Sequence, residues 1–246
     1  MHTEPRPDPA EGVFETLLAR DGGVQALELH LGRLASAVGD LYGERLSPDL
    51  GRKVRAVAAD LTGPHRVRLD AIPGPDAMTI TISTTPVDTS SVALPVTLKP
   101  ALVPGGIGPY KWRDRRLLEQ LTDGQTVPLI VDNPDELLEA SWANVWILEG
   151  GGIVTPAADG RLLPGVTREL LLKNAVTIGL EAAAEPISLA RATAADAIFL
   201  TSSVRLAVGA ALATTGQPGP DEHAGPAEED PTVAAIRTAL SAAATR

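Results

Sequence analysis

The apolar residues in the first part of the chain change their spacing twice, and each spacing predicts a different element. An apolar run from Val13, the turn residues 21–23 and a second short run predict a β-hairpin. Apolar residues then recur at steps of three and four, which predicts one buried helical face formed by Leu27, Leu31, Leu34, Val38 and Leu41. A second helix is predicted with Ser47 as its cap, Pro48 in its first turn, and a buried face formed by Leu50, Val54, Val57 and Leu61. Alternating apolar residues at 65–72 and 77–83 predict two antiparallel strands.

The second part of the chain carries continuous apolar runs separated by turn residues. A short helix is predicted at 114–121, followed by four strands with the sequences VPLIVD, LLEAS, NVWIL and IVTP. Further helices are predicted at RELLLKNAVTIG, SLARATAA and TVAAIRTALSAAA, and DAIFLTSS predicts a buried strand. Because strands and helices are mixed in two blocks, the predicted fold is α+β with two domains.

The predicted organisation divides the chain into four parts. Residues 1–11 hold three prolines among charged groups, which predicts a disordered arm. Residues 12–103 are predicted to form a small N-terminal domain and residues 111–246 a larger one. Between them, residues 104–110 are rich in proline and glycine and are predicted to link the domains.

Composition narrows the possible classes of function. The formal net charge is -10 and no basic stripe is longer than RDRR, so no nucleic-acid partner is expected. No stretch approaches the roughly 18 apolar residues of a membrane helix, and the first residues lack a signal-peptide pattern, so we expect a cytoplasmic protein without a membrane partner. The chain has no cysteine, which excludes a thiolate metal site and a thiol nucleophile, and its four histidines have no ligand spacing.

Lys111 is the first candidate for chemistry. It follows the predicted linker and stands beside Trp112 and three arginines, whose positive field favours a neutral amine. A neutral amine suits a lysine that forms a Schiff base with a carbonyl group. An ordinary solvated lysine on a basic turn is the alternative.

Three further features could bind a cofactor. Pro164 and Gly165 precede a helix that carries Thr167 in its first turn, which predicts an anion site, with simple helix capping as the alternative. A buried strand ends in three hydroxyl residues, 201–203, which suit a ligand or an ordinary turn. Glu139 lies in apolar surroundings and needs a cationic or hydrogen-bonding partner, with a surface strand as an equally good alternative. A lysine, two clusters of phosphate donors and a lone carboxylate together match the requirements of pyridoxal phosphate.

Five motifs, in this order, resemble the class IV aminotransferase family, the fold type IV pyridoxal phosphate enzymes: GVFETLLARDGGVQALELHLGRL, GPYKWRDRRLLEQL, LLEASWANVWILEGGGIVTP, LLPGVTREL and DAIFLTSSVR. The resemblance implies a two-domain fold like that of D-amino acid aminotransferase, with the cofactor in the larger domain, and a homodimer with the active site at its interface. It implies that Lys111 binds the cofactor covalently and moves the proton, and that Glu139 pairs with the pyridine nitrogen. Asn144 would fix the nearby strand and loop. The implied phosphate contacts are Arg33, Val166, Thr167 and Ser203.

The residues after Lys111 indicate a branch of the family. Arg115 and Arg116 stand where branched-chain aminotransferases usually carry an aromatic hydroxyl, and the segment is more similar to aminodeoxychorismate lyases. This resemblance implies release of pyruvate from 4-amino-4-deoxychorismate, with Thr16 as a candidate proton donor or, alternatively, a strand residue facing solvent. A dianionic substrate needs guanidinium partners, for which the candidates are Arg113, Arg115, Arg116 and Arg205. An aminotransferase acting on branched-chain, D-amino acid or amine substrates is the alternative function.

Overall fold

Two sheets organise the computed structural model, which describes residues 6–88, 95–133, 135–213 and 230–243. The described residues separate into two units, a smaller one containing residues 6–88 and 110–117 and a larger one containing residues 95–109, 118–133, 135–213 and 230–243. Strands and helices occur in both units, which confirms the predicted α+β class. Within the described ranges, no helix combines the length and hydropathy that a bilayer-spanning helix needs.

The smaller unit is an antiparallel sheet covered by two helices. Its strands are β1 (Val13–Arg20), β2 (Gly23–Val24), β3 (His65–Ile72) and β4 (Thr79–Pro86), in the order β2-β1-β3-β4. Helices α1 (Leu27–Tyr42) and α2 (Leu50–Ala59) pack on one face of this sheet. The predicted hairpin, first helix and antiparallel strand pair are therefore confirmed. Alternate strand residues reach the helices and form the core together with Leu34, Val38 and Val54: Val13, Leu17, Ala19, Val67, Leu69 and Ala71.

The second helix differs in detail from its prediction. Ser47 does not cap it, because the Ser47 hydroxyl accepts a hydrogen bond from the Asp49 backbone at 3.3 Å and the helix begins only at Leu50. Its buried residues are Leu50, Val54 and Ala58, which follow each other at steps of four. Val57 is 37% exposed, so its predicted place in the core was wrong.

The N-terminal segment contains local structure where the sequence predicted a disordered arm. Pro9–Glu11 form a 3-10 turn, in which the Asp8 side chain accepts a hydrogen bond from the Ala10 backbone at 2.9 Å. The Tyr42 hydroxyl donates to the Pro9 carbonyl at 2.8 Å and ties this turn to α1. Residues 1–5 of the predicted arm lie outside the described residues.

The larger unit contains an eight-stranded sheet in the order β10-β9-β8-β11-β12-β5-β6-β7. Because β7 also pairs with β8, six of these strands close into a barrel, from which β9 and β10 extend. The strands are β5 (Val96–Leu102), β6 (Val127–Asp132), β7 (Glu136–Ala140), β8 (Ala143–Glu149), β9 (Gly152–Thr155), β10 (Glu181–Ala184), β11 (Ala197–Ser202) and β12 (Leu206–Leu212). The strands predicted at VPLIVD, LLEAS, NVWIL, IVTP and DAIFLTSS are confirmed.

Four helices complete the described structure: α3 (Arg116–Leu121), α4 (Val166–Asn174), α5 (Leu189–Ala194) and α6 (Pro231–Ala243). A 3-10 segment, Ala175–Ile178, continues α4 and stops at Gly179, which has a φ of 75° that favours glycine. The Ser188 side chain caps α5 by accepting a hydrogen bond from the Arg191 backbone at 3.0 Å. Each predicted C-terminal helix is confirmed.

Three strands, β5, β10 and β12, were not predicted. β5 pairs in parallel with β6 and β12 and therefore belongs to the larger unit, although the sequence predicted residues up to 103 in the small domain. Conversely, Tyr110–Leu117 group with the smaller unit rather than opening the larger domain. The physical reason is backbone pairing with remote strands, which overrides the local composition of these segments.

Candidate functional site

The backbone at Lys111 is fixed against the start of β1. The Lys111 carbonyl accepts a hydrogen bond from the Phe14 backbone at 2.9 Å, and the Arg113 backbone donates to the Gly12 carbonyl at 3.0 Å. Gly12 has a φ of 89°, and a Cβ there would lie 2.2 Å from the Ala71 carbonyl oxygen, so only glycine fits. The lysine therefore occupies a defined place on the sheet of the smaller unit.

The Lys111 side chain lies over an aromatic ring. Its Nζ is 4.8 Å from the centroid of the Phe14 ring, and the guanidinium carbon of Arg68 is 3.9 Å from the same centroid. Thr16 pairs directly with Arg68 across the β1–β3 ladder, so their side chains share one face. Phe14, two residues from Thr16, is on that face as well, opposite the face that packs on the helices. Thr16 is half-buried there rather than facing open solvent.

Arg33 belongs to a buried charged cluster on the helix-covered face of β1. The Glu15 carboxylate accepts hydrogen bonds from Arg33 Nε at 2.7 Å and from Arg33 NH2 at 2.8 Å. Glu15 Oε2 also lies 2.7 Å from His30 Nδ1. Glu15 and His30 are both almost fully buried, so neither charge nor proton on them is exposed to bulk water. The cluster fixes the orientation of the Arg33 guanidinium.

The ionisation of this cluster follows from its surroundings. Burial alone would raise the pKa of Glu15, but Arg33 and His30 lower that pKa from 4.5 to about 2. Burial lowers the pKa of His30, an effect that Glu15 opposes and that the positive charges of Arg33 and Lys111 reinforce. At neutral pH the cluster is thus a carboxylate held by an arginine and by the N–H of a neutral imidazole.

The predicted substrate arginines have different surroundings. Arg113 donates from Nε to Asp70 at 2.8 Å and from NH1 to the Glu11 carbonyl at 2.6 Å. Arg116 is bound by Asp114 through Nε and NH2, at 2.9 and 2.7 Å, and its side chain is 63% exposed. Arg115 is half-buried. In the larger unit, the Arg205 guanidinium lies 4.8 Å from the Trp142 ring centroid.

Glu139 and Asn144 are neighbours in the larger unit. They face each other across the β7–β8 pair, and Asn144 also pairs with Thr201 of β11. Glu139 is buried and accepts a hydrogen bond from the Leu163 backbone at 3.3 Å, while Asn144 Nδ2 donates to the Leu163 carbonyl at 2.9 Å. Both side chains therefore hold the loop that precedes α4.

The start of α4 is suited to an anion. Gly165 is the N-cap residue of α4 and has no side chain that could cap the helix. Thr167 therefore lies inside the helix, and the alternative that it caps the helix was wrong. Within the described ranges, the N–H groups of Val166 and Thr167 have no hydrogen-bond acceptor, and the helix dipole favours negative charge there. A Cβ on Gly165 would lie 1.8 Å from Asn144 Oδ1, so the backbone at the start of α4 packs directly against the Asn144 side chain. These donors fit a phosphorylated cofactor.

Ser203 lies in the turn between β11 and β12, where it is half-buried. In the same turn the Ser202 hydroxyl accepts a hydrogen bond from the Arg205 backbone at 3.4 Å. At the end of β11, Thr201 is buried and its hydroxyl accepts a hydrogen bond from the Trp146 indole at 2.9 Å. Of the three predicted hydroxyl residues, Thr201 therefore supports the core, Ser202 ends β11, and Ser203 lies in the turn.

The model of the amino-transferase class IV family matches residues 12–212. The chain belongs to the class IV aminotransferase family. Enzymes of this family depend on pyridoxal phosphate, so this class IV chain is a pyridoxal phosphate enzyme, as its motifs predicted.

Solved structures of several proteins share the class IV fold with this chain. A hypothetical aminotransferase from Mycobacterium tuberculosis, in its pyridoxal phosphate-bound form, has a TM-score of 0.81 with 21% identity, covering 99% of this chain and 94% of that chain. A Legionella pneumophila protein provisionally named 4-amino-4-deoxychorismate lyase has a TM-score of 0.78 with 18% identity, covering 99% and 96%. At these identities the likeness shows the fold.

Curated relatives match over a shorter segment. A probable branched-chain-amino-acid aminotransferase from Synechocystis sp. is 28% identical over 85 residues, which cover 35% of this chain and 28% of that protein. A second branched-chain-amino-acid aminotransferase relative, from Methanocaldococcus jannaschii, is 30% identical over 74 residues, covering 30% and 26%. The matched segments span less than a third of the length of these relatives.

Two positions of the candidate site escaped the sequence analysis. Glu15 has the same parity along β1 as the core residues Val13 and Leu17, and a charged residue in that position signals a buried partner. Arg68 lies on the Lys111 side of β3, which alternation alone could not show because it does not identify the face that carries the lysine.

Proposed function

We propose that the protein is a lyase that converts 4-amino-4-deoxychorismate to 4-aminobenzoate and pyruvate. The observation that carries this proposal is the face of the smaller unit on which Lys111 Nζ and the Arg68 guanidinium share the Phe14 ring. Thr16 projects from the same face. A base, a hydroxyl donor and excess positive charge on one face suit elimination from an acidic substrate.

The proposed cofactor contacts follow the family motifs. Lys111 attaches pyridoxal phosphate, and Glu139 holds the pyridine nitrogen protonated. The phosphate is bound by Arg33, by the α4 start at Val166 and Thr167, and by Ser203. Asn144 keeps the start of α4 in place through the hydrogen bond from its Nδ2 to the Leu163 carbonyl. When bound, pyridoxal phosphate draws electrons from the carbon next to the substrate amine.

In this proposal, Lys111 and Thr16 each carry out one proton transfer. Once released by the substrate amine, the Lys111 amine would take the proton from the ring carbon that bears the substrate amine. The bond between the neighbouring ring carbon and the ether oxygen breaks, and the Thr16 hydroxyl gives a proton to the departing enol. The ring becomes aromatic and the enol becomes pyruvate, so the atoms balance without water, oxidant or a second substrate.

The test is product formation without an amino acceptor. Purified protein with pyridoxal phosphate is given 4-amino-4-deoxychorismate, and 4-aminobenzoate and pyruvate are measured. Equal amounts of both products are expected from the wild type and from Lys99→Ala, a matched change at an exposed lysine paired with Asp123. Lys111→Ala is expected to lose both products and the absorbance of the lysine-bound cofactor.

Thr16→Val separates the proton donor from a merely structural strand residue. General-acid catalysis contributes typically 100- to 10,000-fold, so the lyase kcat is expected to fall at least about 100-fold while cofactor absorbance stays. Thr193→Val, at an exposed helical threonine, serves as the matched control with unchanged kcat. A wild-type kcat in Thr16→Val would show that the Thr16 hydroxyl is not the proton donor.

An aminotransferase is the second candidate, favoured by the branched-chain-amino-acid aminotransferases among the curated relatives. Amino acids would then convert the bound cofactor to its amine form, and a keto acid would restore it. Such conversion without any 4-aminobenzoate would replace the lyase proposal. We also propose a homodimer, following the family resemblance, which light scattering on a sizing column tests.

A further inference from the structure

Arg168 is a buried cation in the first turn of α4. It is the third residue of the helix, after Val166 and Thr167, and only 7% of it is exposed. Its NH2 donates a hydrogen bond to the Pro156 carbonyl at 2.8 Å. Its Nε is buried and has no hydrogen-bond acceptor in the described part of the chain. A guanidinium that is buried and only partly hydrogen-bonded costs folding free energy unless an anion balances it.

No carboxylate among the described residues neutralises Arg168. Burial lowers the pKa of its guanidinium, and no charged group in the described ranges opposes that change. On α4 itself, Glu169 pairs with Lys173, and both of these side chains are exposed. The Glu139 carboxylate accepts its hydrogen bond from the Leu163 backbone. Because arginine keeps its charge in proteins, Arg168 is a buried positive charge without a counter-ion in this part of the structure.

The main elements that pack on α4 are β11, the 3-10 segment that continues the helix, and α6. Neither β11 nor the 3-10 segment contains an ionisable residue. The ionisable residue of α6 is Arg237, which is a second cation. Asp230, just before α6, caps that helix by accepting a hydrogen bond from the Thr232 backbone at 2.7 Å. Within the described ranges, these neighbours therefore leave the charge of Arg168 unbalanced.

The Arg168 side chain begins beside the open end of α4. Side chains in a helix lean toward its N-terminus, and Arg168 Cβ lies 3.4 Å from the position that a Cβ on Gly165 would take. At this end, the N–H groups of Val166 and Thr167 have no acceptor among the residues that the structure describes. The helix dipole disfavours a cation here and favours an anion. An anion bound to these N–H groups would therefore stabilise Arg168 as well as the end of the helix.

We propose that Arg168 supplies the buried positive charge that makes the start of α4 selective for a doubly charged anion, the phosphate group of the cofactor. The inference rests on the proposed function, which assigns the phosphate to Val166 and Thr167. Arg168 acts through its electric field, whose attraction grows with each negative charge on the anion. Because salt screens buried charges only weakly, this attraction is expected to persist at physiological ionic strength.

Phosphorus NMR of the bound cofactor across a pH series measures this field. A free phosphate monoester loses its second proton near a pKa of about 6. Coulomb attraction over about 10 Å at an effective dielectric constant of about 20 favours each negative charge about tenfold, which lowers that pKa by about one unit. The midpoint of the phosphorus shift is therefore expected about one pH unit lower in the wild type than in Arg168→Met. Arg168→Lys, which keeps the charge, is expected to behave as the wild type.

The matched control is Lys173→Met, which removes an exposed cation from the same helix and is expected to leave the midpoint unchanged. Arg168→Gln provides a second neutral variant, and thermal unfolding verifies that each variant is folded. A midpoint in the neutral Arg168 variants equal to that of the wild type, or an equal shift in Arg168→Lys, overturns the inference.

Affinity separates the charge of Arg168 from general support of the fold. Pyridoxal phosphate and pyridoxal, which lacks the phosphate, are each titrated into the cofactor-free wild type and variants. In Arg168→Met, binding of pyridoxal phosphate is expected to weaken about 10- to 100-fold, with pyridoxal binding within about threefold of the wild type. Equal weakening for both compounds would overturn the inference. Both measurements are independent of 4-aminobenzoate formation, so the lyase proposal can fail while this inference holds.

Discussion

Replacing Glu15 by glutamine removes the anion from the buried cluster with Arg33 and His30 while keeping the size of the side chain. Arg33, only 14% exposed, then loses the carboxylate that accepts its hydrogen bonds from Nε and NH2. The lowering of the Glu15 pKa from 4.5 to about 2 corresponds to about 3 kcal/mol of folding free energy, at 1.36 kcal/mol for each unit. Removal of one partner of a buried pair typically costs about 3–5 kcal/mol, which agrees with that figure.

We therefore expect Glu15→Gln to lower the free energy of unfolding by about 3 kcal/mol at pH 7, and Tm by about 6–12 °C. Urea unfolding followed by circular dichroism measures the first quantity, and a thermal scan measures the second. Glu28→Gln is the control, because Glu28 and its partner Arg55 are 75% and 60% exposed, and it is expected to cost less than about 1 kcal/mol. Equal, small losses in the two variants would refute the argument.

The same cluster gives a pH dependence with a defined sign. Glu15 binds its proton more weakly in the folded chain, so its contribution is present above pH 4.5 and is lost as pH falls toward about 2. The lowered pKa of His30 acts in the same direction, because the unfolded chain binds that proton first as pH falls below 6.5. The stability gap between wild type and Glu15→Gln is therefore expected to shrink between pH 4.5 and 2, and a gap that stays constant would contradict the reasoning.

Three further substitutions test the packing around the proposed site. Gly165→Ala places a Cβ 1.8 Å from Asn144 Oδ1, and we expect about 1–3 kcal/mol lower stability in urea and weaker retention of pyridoxal phosphate on dialysis. Gly12→Ala combines a φ of 89° with a backbone clash, so we expect a loss above about 2 kcal/mol and reduced cofactor absorbance. Thr201→Val leaves the buried Trp146 indole N–H without its acceptor, which is expected to cost about 1–3 kcal/mol in urea unfolding and to shift tryptophan fluorescence.

The sequence pattern predicted those elements in which buried residues recur at a regular spacing. The three- and four-residue steps in α1 placed Leu34 and Val38 in the core, and continuous apolar runs gave the strands β6 to β9. β5 and β12 have weaker local signals, since β5 contains Lys99 and Pro100 and β12 consists largely of small residues. Their strand character comes from backbone pairing, of β5 with β12 and β6, and of β12 with β5 and β11.

The candidate site was predictable to a similar degree. Motif order and charge placed Lys111, Glu139 and the start of α4 among the candidates, and the structure gives each of them defined surroundings. Arg113 was one of four candidate arginines for an anionic substrate, and the structure shows a contact with Asp70, 43 residues earlier in the chain, that the sequence could not predict. Only the register between β1 and β3 brings Arg68 to the lysine.

The pairing of residues 111–113 with residues 12–14 also affects how the enzyme matures. Almost one hundred residues separate the two segments, and closing so long a loop is an entropic cost that must be met before the contact can form. During synthesis, the Lys111 amine, which we propose binds the cofactor, therefore reaches its place only after the first strand and the two helices that cover it have been made. Attachment of the cofactor would then require a completed N-terminal unit. Chains in which this unit is not folded would lack the absorbance of the bound cofactor.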